Sequence, residues 1–261
     1  MTASAPLDLS PRPGAAPLSA MVRAHALMEA RLLLRNGEQL VLALAIPLLV
    51  LVGGQESGEL LDLGSGRRID VLTPGVLTLA VLSTSFTSVA IATGFERRYG
   101  VLKLLGASPL PRAGLLAGKV GAVLLVETLQ LGVLSAVAFG LGWSPSGGLS
   151  TLVGAAVLVL LGTAAFGALG LLMAGTLRAE ATLAGANLIY LLLLAGGAVV
   201  VPLARYPEAA QPLLALLPTG ALAEGLRELF GGGGLGAAPV AVLVAWAVAA
   251  GLATARTFRW E

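Results

Sequence analysis

The chain contains no cysteine, which excludes a disulfide framework, thiolate metal sites and cysteine nucleophiles. It has a single histidine, His25, so no histidine cluster can be assembled to bind a transition metal. Charge is scarce as well. Asp, Glu, Lys and Arg make up 11% of the residues, whereas globular chains carry about 25%. The net charge of +2 is too small for a nucleic-acid footprint, and the basic residues sit beside apolar runs instead of forming a solvated stripe. What is abundant is hydrocarbon: 57% of the 261 residues are hydrophobic and the mean hydropathy is +0.92. A chain of this composition is solvated by lipid, and its apolar runs leave no length for a separate soluble unit. The expectation is one all-α membrane domain over residues 18–261, preceded by a disordered tail over 1–17. Pro6, Pro11, Pro13 and Pro17 break that tail, and it lacks the apolar core of a cleavable signal.

A membrane-crossing helix needs roughly 20 apolar residues. Six stretches approach or exceed that length: Gln39 to Gly54, Val71 to Gly94, Ala113 to Leu141, Leu149 to Leu177, Ala181 to Leu203 and Leu235 to Phe258. The first is short and carries Pro47, so a buried re-entrant segment is its alternative reading. With six spans and the N-terminus inside, twelve of the sixteen basic residues fall on the inner side. Only Arg67, Arg68, Arg205 and Arg227 lie outside, as the retention of positive charge on the cytoplasmic face requires. Both termini are therefore expected in the cytoplasm. Trp143 and Trp260 suit the membrane interface.

Between the spans, Leu18 to Glu38 reads as an imperfect amphipathic helix along the inner interface. Met21, Val22, Met28, Leu32 and Leu33 share its apolar face, His25 and Glu29 interrupt that face, and Arg23, Arg31 and Arg35 reach the headgroups. On the outer side, Tyr206 to Gly234 is too polar and too rich in proline to span. Leu222, Leu226, Leu229 and Phe230 fall at helical spacing opposite Glu224, Arg227 and Glu228, which predicts short helices dipping into the outer leaflet. The segment from Phe95 to Arg112 is the most informative. Glu96, Arg97 and Arg98 end the second span. Val101, Leu102, Leu104 and Leu105 form a brief helical pattern that Gly106 and Ser108-Pro109 stop, and Pro111 opens the next helix. Such a piece is either a rigid lever on which a soluble partner pushes or an ordinary basic loop that satisfies the orientation rule.

At these residues the chain resembles a family. Glu-Arg followed by Gly-Val-Leu, then Leu-Leu-Gly-Ala-Ser-Pro-Leu-Pro-Arg and Gly-Lys, is similar to the signature of ABC-2 type transporter permeases, the membrane subunits of ATP-driven exporters. The layout is similar too: an inner amphipathic helix, six spans, and an amphipathic hairpin, with Leu217-Pro218 through Arg227, between the last two. Tyr99 departs from the small or charged residue that many members carry. The resemblance implies a coupling helix seated in a cleft of a cytosolic ABC ATPase subunit, formed by Glu96, Arg97, Arg98, Tyr99, Gly100, Leu102, Lys103 and Leu105, with Glu96 in a polar network at the membrane boundary. It also implies a second permease copy or paralogue, a bacterial inner-membrane location, and export of a hydrophobic or amphiphilic compound such as a drug, antibiotic or lipid-linked molecule. ATP and magnesium are expected on the partner, with no cofactor bound by this chain. Gly114-Leu-Leu-Ala-Gly118-Lys119-Val120 is one residue too short for a phosphate loop, and Val120 cannot ligate magnesium.

Polar residues inside spans are the remaining candidates. Glu127 and Gln130, three apart on one helix face, belong either to a substrate path or gating network, or to interhelical hydrogen bonds. Ser83, Thr84 and Thr87, with Ser85 and Ser88, give the second span a hydroxyl-rich wall, and Asn187 sits in the fifth. For these, close helix packing is the competing reading. A membrane-embedded enzyme would need a nucleophile with its base or clustered metal ligands. Glu127 is the only acid deep in a span, so the chain is not expected to be an enzyme by itself. A scaffold or immunity protein that merely binds a partner is the other alternative.

Overall fold

The computed structural model describes residues 14–35, 37–57, 63 and 66–258, with the side chains of 37–42 and of Arg112 left aside. Residues 1–13 of the tail expected over 1–17, and Trp260, lie outside these residues. The described residues form helices and turns with no strand, an all-α polytopic membrane protein. The elements are α1 (Leu18–Arg35), α2 (Gly37–Glu56), α3 (Arg68–Val81), a π-helical turn (Leu82–Ser88), α4 (Val89–Arg98), α5 (Val101–Gly106), α6 (Arg112–Gly140), α7 (Leu149–Thr176), α8 (Ala179–Gly196), α9 (Gln211–Ala215), α10 (Pro218–Phe230) and α11 (Ala237–Thr257). Among the described residues, five helical stretches are long and apolar enough to cross a bilayer, and α2 holds a shorter apolar stretch over Ala43–Glu56.

The central element is the continuous helix of α3, the π turn and α4. Its most apolar window is 72% buried, against 11% for α11, so it is the post around which the others assemble. Its N-terminal half packs on α2, α6 and α10, and its C-terminal half on α7 and α8. Small residues permit this. Gly170 of α7 lies against the Phe86 carbonyl, where an added Cβ would come within 2.8 Å of it. Gly162 accepts Leu222 from α10 in the same manner. In lipid, where apolar contact alone gives no preference for protein over solvent, such close approach is what holds helices together.

Three expectations change. The fifth span was expected to reach Leu203, but α8 ends at Gly196 and the chain turns through Ala198, whose φ is +56°. The Ala198 and Val199 carbonyls are held there by a side chain from α10, so the helical ladder is not continued. Helix α1 is also turned over: His25, Glu29 and Ala30 are buried against α6, while Leu27, Met28 and Leu32 are exposed. In a hydrocarbon solvent the polar stripe is the one that must be hidden, and Gly118 of α6 makes room for the His25 ring. Trp143, read from the sequence as an interface residue, is covered by protein: it is 6% exposed, packed between Phe139 and Phe230 at centroid distances of 4.9 and 5.1 Å.

Candidate functional site

The C-terminal end of the central helix turns sharply into α5. Gly100 has φ +72°, a left-handed conformation that only glycine adopts without strain, and it lets the chain reverse directly after Tyr99. Leu102 is 7% exposed and pins α5 to the bundle, whereas Tyr99 and Leu104 are 69% and 75% exposed, with Val101 and Lys103 beside them. The Ser108 hydroxyl donates to the Leu105 carbonyl at 2.6 Å and closes the helix. The result is a short ridge with an anchored apolar underside, Leu102 and half-buried Leu105, and an outward face mixing large apolar side chains with Lys103.

Two arginines fasten the base of this ridge to the α7–α8 joint. Arg97 donates to the Leu177 carbonyl, and Arg98 pairs with Glu180 while lying 5.8 Å from the Tyr99 ring centre. Both therefore serve partly as struts between the two connections. Glu96 faces the opposite way, into the bundle, where the Lys119 ammonium donates to both its carboxylate oxygens at 2.8 and 3.0 Å. Lys119 lies 3.6 Å from Glu29, and Glu29 lies 3.8 Å from His25. Helices α1, α4 and α6 thus meet at two carboxylates, one ammonium and one imidazole, with side chains between 6 and 17% exposed. The Gly114–Lys119 run is the interior of α6, and its lysine holds carboxylates in place of phosphate.

Half-way along the bundle, a second polar group sits on the π turn. Ser85 donates to one oxygen of Glu127 at 3.1 Å, and the Thr163 hydroxyl lies 2.7 Å from the other, joining the central helix, α6 and α7. Thr84 donates to the Gln130 carbonyl oxygen at 2.5 Å, and the Gln130 amide donates to the Ala43 carbonyl of α2 at 2.7 Å. The structure therefore gathers Thr84, Ser85, Glu127 and Gln130, and adds Thr163. Ser83 is half-buried, with its carbonyl accepting from Ser88, and the Thr87 hydroxyl finds no partner among the described residues. Asn187 is exposed on α8, bonded to the Leu183 carbonyl of its own helix at 3.0 Å, and belongs to neither group. A π turn widens the helix by one residue and recurs at functional sites; here it presents adjacent residues, Thr84 and Ser85, to different partners.

Sequence reasoning placed Arg227 on the polar face of a short helix, opposite its leucines, and gave it no partner; its side chain is 9% exposed. The guanidinium donates to the carbonyls of Val71 (3.2 Å), Ala198 (2.9 Å) and Val199, and to Glu224 at 2.7 Å. Glu224 in turn accepts from the Leu203 amide at 2.8 Å. Burial presses the Arg227 pKa below its ordinary value while Glu224 raises it, and arginine stays charged in either case. Its five donors suit a place where one side chain must reach the Val71 carbonyl of α3, the Ala198 and Val199 carbonyls after α8, and the Glu224 carboxylate. Lys119 was likewise missed, although a lysine in an apolar run is a signal that a buried partner exists.

A family model described as an ABC-2 family transporter protein matches residues 68–256, from the first turn of α3 to the last of α11. The chain belongs to the ABC-2 transporter family. Among curated proteins none matches it. As an ABC-2 permease it is a membrane component of an ABC transporter, works in association with an ABC ATPase subunit, and is a transport component in place of a catalyst. The match takes in α5, Glu96, Lys119, Glu127, Gln130 and Arg227, and leaves out α1 and α2 with their share of the two polar groups, His25, Glu29 and the Ala43 carbonyl.

Proposed function

We propose that this ABC-2 permease exports a hydrophobic or amphiphilic compound across a bacterial inner membrane, with α5 as the helix through which a cytosolic ATPase drives it. The observation that carries the reading is the ridge itself: Tyr99, Val101 and Leu104 present apolar area next to Lys103, and Leu102 roots the same helix in the bundle. Exposed apolar area marks a protein or a membrane contact, and its place on a short turn between spans, beside Lys103, favours a soluble protein partner. Force applied to α5 passes through Leu102, through the Arg97 and Arg98 struts to α7 and α8, and through Glu96 to α1 and α6. Two permease halves, identical or paralogous, and two ATPases complete the machine, ATP and magnesium residing on the latter. Six crossings with both termini cytoplasmic follow from the placement of twelve basic residues on one side. The Glu127–Gln130 group lies at a depth where a gate or cargo contact would be made.

The test is co-reconstitution with the partner ATPase in vesicles. Leu104→Glu, which alters only an exposed side chain, is expected to abolish permease-dependent ATP hydrolysis and transport while insertion stays normal. Unaltered coupling in that variant would remove α5 from the drive train.

A further inference from the structure

Helices α1, α4 and α6 and the π turn enclose a cavity of about 20 Å³, beside the junction that Glu96, Lys119 and Glu29 form. Its polar lining is Glu29, Lys119, Thr84 and Ser88, and the remainder is aliphatic. Hydrogen bonding there is incomplete. Glu29 is 8% exposed, yet its carboxylate has no hydrogen-bond donor among the described residues, since Lys119 at 3.6 Å and His25 at 3.8 Å are both too far. A buried carboxylate in that condition keeps much of its desolvation cost, because attraction at a distance does not replace the donors that water supplied. Thr84 spends its proton on the Gln130 carbonyl oxygen, and Ser88 spends its own on the Ser83 carbonyl at 3.2 Å. Both hydroxyls therefore offer the cavity only lone pairs. Lys119 keeps one proton after its two bonds to Glu96. The site thus presents the acceptors of Glu29, Thr84 and Ser88 against a single ammonium donor, and it suits a small occupant that carries two protons and a lone pair.

We propose that one water molecule is held here, donating to Glu29 and to the Ser88 oxygen and accepting from Lys119. About 10–15 Å³ is room enough for a water, and about three partners is usual for a buried one. The ammonium in the wall disfavours a metal cation in the same place. The consequence is a join between the two polar groups. Ser88 closes the π turn through the Ser83 carbonyl, and that turn aims Thr84 at Gln130 and Ser85 at Glu127. With the water in place, the charge junction at the end of α4 and the group half-way along the bundle form one network. Its use in passing force from α5 rests on the reading proposed above; the binding of the water does not.

The full-length permease in lipid nanodiscs is imaged at a resolution that shows ordered water, and denaturant unfolding is followed for the wild type, Glu29→Met, Ser88→Ala and the double variant. A density about 2.7–3.2 Å from Glu29, Lys119 and Ser88 is expected. Glu29 and Ser88 share no hydrogen bond, so without the water their effects on the unfolding equilibrium constant should multiply within about twofold. With it, the double variant should depart from that product by about fivefold or more. The Ser88–Ser83 bond is lost in both backgrounds and cancels. No density, a density that misses Ser88, or a peak with about six or more oxygen neighbours at about 2.3–2.6 Å, as a bound cation would show, would overturn the proposal, and so would independent effects of the two substitutions. Neither measurement involves the ATPase or a cargo, so a failure of the coupling assay and a failure here are separate results.

Discussion

Replacing Lys119 by methionine removes the one ammonium shared by Glu96 and Glu29, whose side chains are 17% and 11% exposed. The chain length and most of the stem packing survive, so the effect isolates the charge. Two carboxylates are then left close together in a poorly hydrated pocket, with only the His25 imidazole near Glu29. Breaking a buried pair by removing one partner costs about 3–5 kcal/mol, because the remaining charge keeps its desolvation penalty. In contrast, Glu96→Gln together with Lys119→Met removes charges of both signs and should recover much of that loss, giving a coupling energy on the order of 1–3 kcal/mol. The assay is a double-mutant cycle on the purified permease in mixed micelles, unfolded by denaturant and followed by circular dichroism. If Lys119→Met costs less than about 0.5 kcal/mol, the level of an ordinary surface change, or if the two substitutions simply add, the three-helix charge cluster is not the structural junction inferred here.

Further outcomes follow from the same contacts. Arg227→Met should destabilise the protein by about 3–5 kcal/mol by stranding Glu224 and three carbonyls, and hydrogen exchange should speed up first over residues 197–203, where the strut is lost; unchanged exchange there would contradict the role. Gly170→Val should prevent close packing of α7 on the π turn, because the Phe86 backbone cannot retreat as a side chain can, and should show as loss of folded protein after detergent extraction. Glu127→Gln keeps an acceptor for Ser85 or Thr163 and should cost less than about 1 kcal/mol, whereas Glu127→Leu orphans the buried Ser85 hydroxyl and should cost about 1–3 kcal/mol, as read by thermal melting.

The helices were legible because length and apolarity suffice to define them: α6, α7 and α11 fall within a few residues of their expected bounds. The orientation of α1 was not, because the rule that hides leucine from water reverses when the solvent is lipid, and Met28 and Leu32 have no reason to face inward. The early end of α8 is set by Arg227, a residue about thirty positions away in sequence, and no local pattern around Gly196 encodes that partner. Among the candidate site residues, the i, i+3 spacing of Glu127 and Gln130 foretold a shared face. Their partners on α2, α3–α4 and α7 could not be read, since hydroxyls in membrane helices are common and mostly bond their own backbone. The α5 signature was legible as sequence, but the division of labour within it was not. Leu102 and Glu96 point inward while Tyr99, Val101 and Leu104 point out, a consequence of the left-handed turn at Gly100.

The natural absence of cysteine makes the central claim directly measurable. Lys103→Cys, the sole thiol in the chain, is treated with a membrane-impermeant maleimide in intact cells, in inside-out vesicles, and in inside-out vesicles loaded with the partner ATPase. The account requires labelling only in inside-out vesicles, and protection when the ATPase is bound. Labelling in intact cells would place the ridge on the wrong side of the membrane and end the coupling account, and undiminished labelling beneath a bound ATPase would show that the engine docks elsewhere.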